Sequence, residues 1–228
     1  MVLTVYYDVM SQPCRSVLLF CEVNGIPYEK EVVSIGKGEH MSEEFSQINP
    51  ENKLPAIKDG LFCLRESVAI LKYLAAKYNT ADHWYPRDLQ KRAKVDEYLA
   101  WHHGNTRKDA IFVFWTEVLI PRMRGTEINQ PRLKKAVAAF DNTMDKIEKI
   151  FLKDQKFLCG DDITLADIMA VPEFLQLTAS GRDIAPDSPK INAWIERVRS
   201  RLQPFFDQFH TPIYKMRQKR LAAKESKL

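Results

Sequence analysis

Three short segments of this sequence combine residue types that can bind and activate a small charged ligand. The first is Ser11-Gln12-Pro13-Cys14, directly after a short apolar run. Pro13 suits the first turn of a helix, because its missing N–H would have no intrahelical partner there. A helix N-terminus stabilises an anion, so a thiolate at this point would have a lowered pKa and the Ser11 hydroxyl can donate a hydrogen bond to it. The alternative is that Ser11 only caps the helix.

The second segment is Asn52-Lys53-Leu54-Pro55-Ala56-Ile57. A proline that follows an exposed polar run and opens a strand is a candidate for a cis peptide bond. A cis bond at Pro55 leaves the N–H and C=O of Leu54 at a strand-like edge, where they can pair with a peptide ligand. The alternative is a trans proline that simply begins the strand.

The third segment is Arg65-Glu66-Ser67-Val68, which opens a helical pattern. Glu66 and Ser67 bring a carboxylate and a hydroxyl to the free N–H groups of the first turn. They can hold both ends of a small amino acid, the ammonium on Glu66 and the carboxylate at the Ser67 turn. The alternative is an N-cap at Ser67 with an acidic neighbour.

The elements that must position these segments alternate between strand and helix over the first 80 or so residues. The periodicity predicts an order β-α-β-(α)-β-β-α. The predicted strands are Leu3–Tyr7, Tyr28–Ile35 and the two arms Ala56–Lys58 and Leu61–Leu64 of a hairpin around Asp59-Gly60. One helix follows Pro13 and ends at Gly25, and another is capped by Ser67. The sequence thus predicts an α/β domain over residues 1–79.

Strand patterns disappear after a linker predicted at residues 80–88, so residues 89–228 are expected to form an all-helical domain. A long helical stretch from Leu89 to Trp115 has aromatics on more than one side and is expected to be central and buried. Leu133 to Phe151 forms a second amphipathic pattern. Thr164-Leu165-Ala166-Asp167 is typical of a capping box, and Ser188-Pro189 opens a further helix.

Composition excludes several classes of protein. The chain has 228 residues, 45% of them hydrophobic, with only 8 glycines, which argues against long disordered linkers. No apolar run reaches the roughly 18 residues of a membrane span. The four cysteines form no CxxC pair and suit free thiols. Adjacent His102 and His103 point in different directions on a helix, so no metal site is predicted. Part of the net charge of +4 lies near the C-terminus, where a solvated tail is favoured over a nucleic-acid surface.

The order and spacing of these segments resemble those of the glutathione transferases, and within them the theta class. The resemblance spans about residues 3 to 202 and rests on Ser11-Gln12-Pro13-Cys14-Arg15, Asn49-Pro50, Lys53-Leu54-Pro55-Ala56, Glu66-Ser67-Val68-Ala69-Ile70-Leu71, His83-Trp84-Tyr85-Pro86, Val95-Asp96-Glu97-Tyr98-Leu99-Ala100-Trp101 and Thr164-Leu165-Ala166-Asp167. It implies a thioredoxin-like N-terminal domain that binds glutathione and an all-α C-terminal domain that receives a second substrate.

The resemblance also implies roles for individual residues. Ser11 falls on the position that holds the thiolate, and Arg107 matches an arginine that supports it electrostatically. Asp167 matches a helix cap that serves folding. The positions that match the family's glutathione-binding residues are His40, Lys53, Leu54, Glu66 and Ser67.

The activity implied in this way is conjugation of glutathione to small hydrophobic electrophiles such as alkyl halides and epoxides, with reduction of organic hydroperoxides as a companion activity. Glutathione is then a co-substrate, no cofactor is expected, and the family usually forms homodimers. The alternative is a carrier that binds hydrophobic ligands without turnover, in an apolar cleft lined by Phe112, Phe114, Trp115, Phe205 and Phe206. A third interpretation, a structural subunit of a larger assembly, has no positive feature in the sequence.

Location is predicted from the two ends of the sequence. The first residues lack a basic region and a cleavage site, so no secretory signal is expected and the cytoplasm is the default. Ser226-Lys227-Leu228 matches a peroxisomal address when it is free at a C-terminus. The alternative is a basic end of coincidental composition.

Overall fold

The computed structural model describes residues 2–225, which contain a four-stranded mixed sheet with the strand order β2-β1-β3-β4. Its strands are β1 (Leu3–Tyr7), β2 (Tyr28–Val32), β3 (Ala56–Asp59) and β4 (Phe62–Arg65). The pair β1 and β2 is parallel, and the other two pairs are antiparallel. The predicted hairpin is confirmed, and the turn between its arms contains Gly60, whose φ of 65° suits glycine.

Strand β2 is shorter than the predicted Tyr28–Ile35, because side chains take over its backbone hydrogen bonds. Val33 N still donates to Tyr7 O at 2.9 Å. Beyond it, Ser34 N donates to a carboxylate oxygen of Glu39 at 2.7 Å, and Ile35 N donates to Asp8 Oδ2 at 2.8 Å. The chain therefore leaves the sheet after Val32.

The helices of the N-terminal half are α1 (Gln12–Val23), α2 (Glu43–Ile48) and α3 (Ser67–Lys77). Helix α1 is deeply buried, with every residue from 12 to 21 in the interior. The prediction that Ser67 caps its helix is wrong by one position, since Glu66 occupies the N-cap and Ser67 is the first helical residue. Within the predicted linker, Trp84 is buried and packs edge-on against Phe20 of α1, with ring centroids 5.3 Å apart.

The remaining helices are α4 (Leu89–His102), α5 (Lys108–Phe114), α6 (Ile120–Arg124), α7 (Gln130–Lys146), α8 (Leu165–Thr178), α9 (Pro189–Arg201) and α10 (Phe205–Glu225). π-Helical turns at His103–Arg107 and Trp115–Leu119 join the first three into one helical stretch. A third π-helical turn, Ile147–Leu152, extends α7. No helix in the described part of the chain is both long and apolar enough to cross a bilayer.

The central buried helix is α8, not the stretch from Leu89 to Trp115. All residues of α8 are buried, and it packs against α1, α4, α5 and α10. By contrast, Leu89 is 77% exposed and Trp115 is 49% exposed. The aromatics of the long stretch fit a helix that has one face in the core and another on the surface.

The start of α8 confirms the predicted capping box, in which Asp167 replaces the usual Glu. Asp167 is fully buried and accepts hydrogen bonds of 2.9 Å from Thr164 N, Leu158 N and Trp194 Nε1. It thereby connects α8 with the preceding loop and with α9. Burial raises the pKa of this carboxyl, and the hydrogen bonds oppose that rise.

Three of the four basic side chains between residues 215 and 220 are exposed, as the predicted solvated tail requires, but the segment is helical up to residue 225. It forms the long helix α10, anchored in the core by Phe206, His210 and Ile213. Arg217 of this helix pairs with Asp183 at 2.6 Å. The predicted peroxisomal address, Ser226-Lys227-Leu228, lies outside the described residues.

Candidate functional site

One edge of the sheet collects the strand ends that lead into the predicted site. Tyr6 of β1 pairs with Ala56 of β3, which in turn pairs with Arg65 of β4. In the parallel pair, Tyr7 lies opposite Val32 of β2. The carboxyl ends of β1, β2 and β4 therefore meet the amino end of β3 at this edge. The segments that begin or end here carry Ser11, His40, Lys53, Leu54, Glu66 and Ser67.

Ser11 occupies the N-cap position of α1, but its side chain makes no capping hydrogen bond. The backbone closes the turn: Ser11 N donates to Asp8 O at 2.9 Å, and Arg15 N donates to Ser11 O at 3.2 Å. The interpretation of Ser11 as a simple cap is therefore not supported by the geometry. Its hydroxyl instead lies beside the thiol of Cys14, a weak hydrogen-bonding partner that a stronger acceptor can replace.

Cys14 is not itself an activated nucleophile. Burial raises the pKa of its thiol to about 11, although the Ser11 side chain and the nearby backbone lower it in part. A thiol with this pKa is neutral at physiological pH, and only the thiolate is nucleophilic. Cys14 is therefore not a candidate nucleophile, and Ser11 stays the predicted functional residue at this helix start.

Asp8 organises the loop before Ser11, a role that no sequence motif indicated. Its two carboxylate oxygens accept hydrogen bonds of 2.8 Å from Met10 N and from Ile35 N. One side chain thus ties the loop after β1 to the segment after β2. The alternation of strand and helix in the sequence predicts that both loops lie at the same edge. It does not predict that Asp8 connects them.

The segment before β3 has the cis bond that the sequence left open, between Leu54 and Pro55. Neither the N–H nor the C=O of Leu54 has a hydrogen-bond partner within the described residues. Lys53 is exposed and pairs with Glu51 at 3.0 Å. Glu51 also pairs with Arg65 at 3.2 Å, so the segments before β3 and after β4 are joined across the edge.

Glu66 has a backbone conformation that is rare outside glycine, with φ 67° and ψ 108°. Such a conformation costs on the order of 1–3 kcal/mol and is common at ligand sites. The Glu66 carboxylate is exposed and makes no capping bond, while Ser67 is buried in the first turn of α3. His40 follows in the same region, and its Nδ1 is buried without a partner among the described residues.

Arg107 ends the π-helical turn that links α4 to α5. Its Nη1 donates to Oε1 of Glu173, a carboxylate buried in α8. Burial raises the pKa of Glu173, and the charge of Arg107 opposes that rise. π-Helical turns of this kind occur frequently at functional sites.

Arg15 connects α8 to the loop that carries Ser11. Its fully buried guanidinium donates from Nη1 to Val9 O at 2.8 Å, and from Nη2 to Gln176 Oε1 at 2.7 Å and to Pro172 O at 3.2 Å. Glu173, the partner of Arg107, lies between these two α8 residues in sequence. The same turn of α8 therefore binds both Arg107 and the loop before Ser11.

Both halves of the chain match known family profiles. Residues 5–82 match the one described as "Glutathione S-transferase, N-terminal domain", and residues 110–201 match "Glutathione S-transferase, C-terminal domain". Rat glutathione S-transferase theta-1 is 43% identical over 218 residues, which cover 95% of this chain and 91% of the relative. This chain belongs to the glutathione S-transferase family.

Solved structures agree with this assignment. Apo human glutathione-S-transferase T1-1 matches the transferase with a TM-score of 0.91 and 41% identity, covering 95% of this chain and 91% of that chain. A human theta-class transferase in complex with the glutathione conjugate of 1-menaphthyl sulfate matches with a TM-score of 0.91 and 42% identity, covering 99% of this chain and 92% of that chain. These matches confirm the predicted family, the similarity to the theta class, the fold and the prediction that the protein is an enzyme. They disfavour the carrier alternative.

The aromatic cleft expected for a carrier is not assembled in this transferase. Phe114 is 5% exposed and Phe206 is fully buried, so both belong to the core. Phe112 and Trp115 are partly exposed, and Arg132 lies over the Phe112 ring at 4.8 Å. A cleft does border the Ser11 loop, lined by Tyr7–Val9 on one side and by α10 residues of the range 208–212 on the other.

His102 and His103 lie in different environments. His102 is fully buried, with its Nδ1 3.4 Å from Tyr98 Oη, whereas His103 is exposed. Burial lowers the pKa of His102 to about 3. Among residues 2–225, no cluster of three or more potential metal ligands occurs.

The residues that connect the parts of the candidate site, and that the sequence analysis missed, are Asp8, Arg15, Glu173 and Gln176. Arg15 is the last residue of the motif that begins at Ser11. The only further signal was that Arg15 is a charged residue on α1, a helix that is otherwise deeply buried. Glu173 and Gln176 lie in a long apolar run, where an isolated polar residue must find a partner. The sequence indicated that partners exist, but not which residues they are.

Proposed function

We propose that this transferase conjugates glutathione to small hydrophobic electrophiles such as alkyl halides and epoxides, and that Ser11 donates a hydrogen bond to the glutathione thiolate. Reduction of organic hydroperoxides is proposed as a companion activity. The observation that carries the proposal is the Ser11 hydroxyl, which sits at the start of α1 but is not used to cap it. The human theta-class relative bound to a glutathione conjugate supports the same chemistry.

The proposed mechanism lowers the pKa of the glutathione thiol. The N–H groups at the start of α1 and a hydrogen bond from Ser11 both favour the thiolate over the thiol. Arg107 adds a positive charge from the helical domain. Each unit by which the pKa falls corresponds to about 1.4 kcal/mol. Because nucleophilicity falls only in part as the pKa falls, a thiolate formed in this way still attacks the electrophile effectively.

Five residues are proposed to hold glutathione along the sheet edge. Lys53 and His40 bind the glycyl carboxylate, and the unpaired backbone of Leu54 pairs with the cysteinyl unit. Glu66 and Ser67 bind the γ-glutamyl end. The exposed Glu66 carboxylate at a strained N-cap supports its part in this assignment.

Titration of bound glutathione tests the role of Ser11. The ultraviolet absorbance of the thiolate is followed against pH in the wild type and in Ser11→Ala. We expect a lowered thiol pKa in the wild type and a rise of about one unit or more in the variant, with a rate of conjugation reduced about tenfold or more at neutral pH.

Ser188→Ala is the matched control for this titration, since the Ser188 hydroxyl does cap a helix by accepting from Ile191 N at 3.1 Å. It should reduce stability by about 1 kcal/mol and leave the glutathione thiol unchanged. If glutathione binds to Ser11→Ala and its thiol ionises as in the wild type, Ser11 is not the donor.

We further infer a homodimer that uses the surface of β4. Leu61 is 96% exposed and Phe62 is 47% exposed, and Tyr73 of α3 packs beside Phe62 with ring centroids 5.3 Å apart. Exposed apolar side chains of this size favour a protein interface. Sedimentation equilibrium should give a dimer for the wild type and a monomer for Leu61→Glu, and a monomeric wild type would contradict the inference.

Cytoplasmic and peroxisomal locations stay predictions from the sequence. The residues at issue, Ser226-Lys227-Leu228, have a sequence that import receptors read. A fluorescent fusion that ends in these three residues should enter peroxisomes, and one that lacks them should not. If neither fusion enters peroxisomes, the cytoplasm stays the predicted location.

A further inference from the structure

Glu173 is a buried carboxylate to which no motif assigned a function. Its side chain is 1% exposed, and its Oε1 accepts a hydrogen bond from Nη1 of Arg107. Its Oε2 has no hydrogen-bond partner within the described residues. A buried carboxylate of this kind is stable only when a nearby positive charge offsets the loss of its hydration.

Two guanidinium groups supply that charge. Arg107 is in direct contact with Glu173, and Arg15 is close enough for its charge to favour the ionised carboxylate. Arg15 is itself fixed, since its three hydrogen bonds go to Val9, Pro172 and Gln176. Glu173 thus interacts with two guanidinium groups. That of Arg15 is fixed in the core by other hydrogen bonds, and that of Arg107 is not.

Arg107 is the guanidinium that needs a partner. Its side chain is 31% exposed, and Glu173 is its only hydrogen-bonding partner within residues 2–225. Without Glu173, nothing among these residues would fix its direction. The two positive charges would also be left facing each other across a region of low dielectric constant, and the partly exposed one would move towards water.

We propose that Glu173 is the positioning residue for Arg107, and that it holds the guanidinium where it stabilises the thiolate of bound glutathione. This inference rests on the proposed function, because it needs Arg107 to act on the thiolate. Glu173 itself touches no reacting atom. It acts only through Arg107.

The sign of the expected effect separates positioning from simple electrostatics. If Glu173 acted only through its charge, the variant Glu173→Gln would remove a negative charge and lower the pKa of the glutathione thiol. If it positions Arg107, the same variant raises that pKa, because the guanidinium leaves its place. The two effects are opposite in direction in the same titration.

The experiment is a double-mutant cycle of Glu173→Gln and Arg107→Ala in the full chain, with kcat, KM for glutathione and the thiol pKa as readouts. In the wild-type background, Glu173→Gln should lower kcat about tenfold or more and raise the thiol pKa, since a small displacement of a catalytic group has effects of this size. In the Arg107→Ala background, it should change kcat less than about twofold, because residues that act through one group are not additive.

Glu117→Gln is the matched control. Glu117 is also a buried carboxylate paired with a partly exposed arginine, Arg182, at 2.5 Å. Its replacement should affect stability but neither the thiol pKa nor kcat. If Glu173→Gln does not fold, Glu173→Asp enters the same cycle, since it keeps the charge but withdraws it by one methylene group.

The outcomes are distinguishable from failure of the proposed function. A wild type that binds glutathione but does not ionise its thiol, or does not conjugate it, overturns the proposed function. A wild type that conjugates glutathione, together with an equal loss of kcat from Glu173→Gln in both backgrounds, overturns only the positioning role. A lowered thiol pKa in Glu173→Gln overturns it as well.

Discussion

The sheet edge that is proposed to bind glutathione and the buried polar groups on α8 are built in different ways. At the edge, the proposed ligand residues lie in the segments that precede or follow strands, and most of their side chains are exposed or half-buried. On α8, Asp167, Glu173 and Gln176 are each at most 2% exposed, and the partners of Glu173 and Gln176 are distant in sequence. Arg15, for example, lies 161 residues from Gln176. In the proposed function the edge binds glutathione, while the α8 groups hold the segments of the site together.

This difference predicts opposite consequences of substitution. Groups at the edge remain hydrated when a partner is removed, so stability should change little and ligand binding much. Groups on α8 lose a partner that water cannot replace, so stability should change much. Three substitutions sharpen this comparison.

The largest effect is expected for Asp167→Ala. The change leaves Leu158 N, Thr164 N and Trp194 Nε1 buried without their acceptor. Each buried donor left unpaired costs about 1–3 kcal/mol, so the three together should lower the free energy of unfolding by about 3–9 kcal/mol. Urea unfolding followed by circular dichroism measures this loss.

Asp154→Ala is the control for this substitution, because the Asp154 side chain is fully exposed and its only partner among the described residues is Lys190, at 3.3 Å. Its effect should be below about 0.5 kcal/mol. Similar losses in the two variants would show that the hydrogen bonds of Asp167 contribute little, and the contrast between the two regions would then fail at its strongest point.

A smaller effect on stability is expected for Arg15→Lys, which tests the link between the two regions. Burial lowers the pKa of Arg15 to about 10, so the group remains charged at neutral pH. A lysine keeps the charge, but its compact ammonium cannot reach both Val9 O and Gln176 Oε1 as the planar guanidinium does. Stability should fall by about 2 kcal/mol, and the thiol of bound glutathione should ionise less readily because the Ser11 loop loses its tether.

Arg199→Lys serves as the comparison, since Arg199 pairs with Asp207 at 2.8 Å with about 40% of its side chain exposed. It should cost less than about 1 kcal/mol and leave the thiol unaffected. An Arg15→Lys variant that loses stability but retains the wild-type thiol pKa would mean that α8 supports the fold without positioning the Ser11 loop.

The sequence predicted the edge better than α8, and the reason is physical. Turns, caps and prolines depend on neighbours in the chain, so the strand β1, the hairpin, the cap position of Ser11 and the capping box at Thr164 were predictable. Errors of one to three residues arose at the end of β2, where side chains take over backbone hydrogen bonds, and at Glu66, whose positive φ no local pattern indicated. The pairs Arg107–Glu173 and Arg15–Gln176 depend on how two domains pack, which no local pattern specifies.

The smallest effect on stability, and a clear effect on binding, is expected for Lys53→Ala. Lys53 is 71% exposed in its side chain, and its pair with Glu51 at 3.0 Å is of the kind that contributes about 0–1 kcal/mol. If Lys53 binds the glycyl carboxylate, its removal should raise KM for glutathione about tenfold with little change in kcat, since binding of the ground state and the transition state is weakened equally. High salt should weaken glutathione binding to the wild type more than to the variant, because only the wild type has the Lys53 charge that salt screens.

Lys58→Ala, in the middle of the adjacent strand β3, is the control and should leave KM unchanged. An unchanged KM in Lys53→Ala would remove Lys53 from the proposed site, whereas a large loss of stability would mean that the edge depends on its ion pairs as α8 depends on its buried ones.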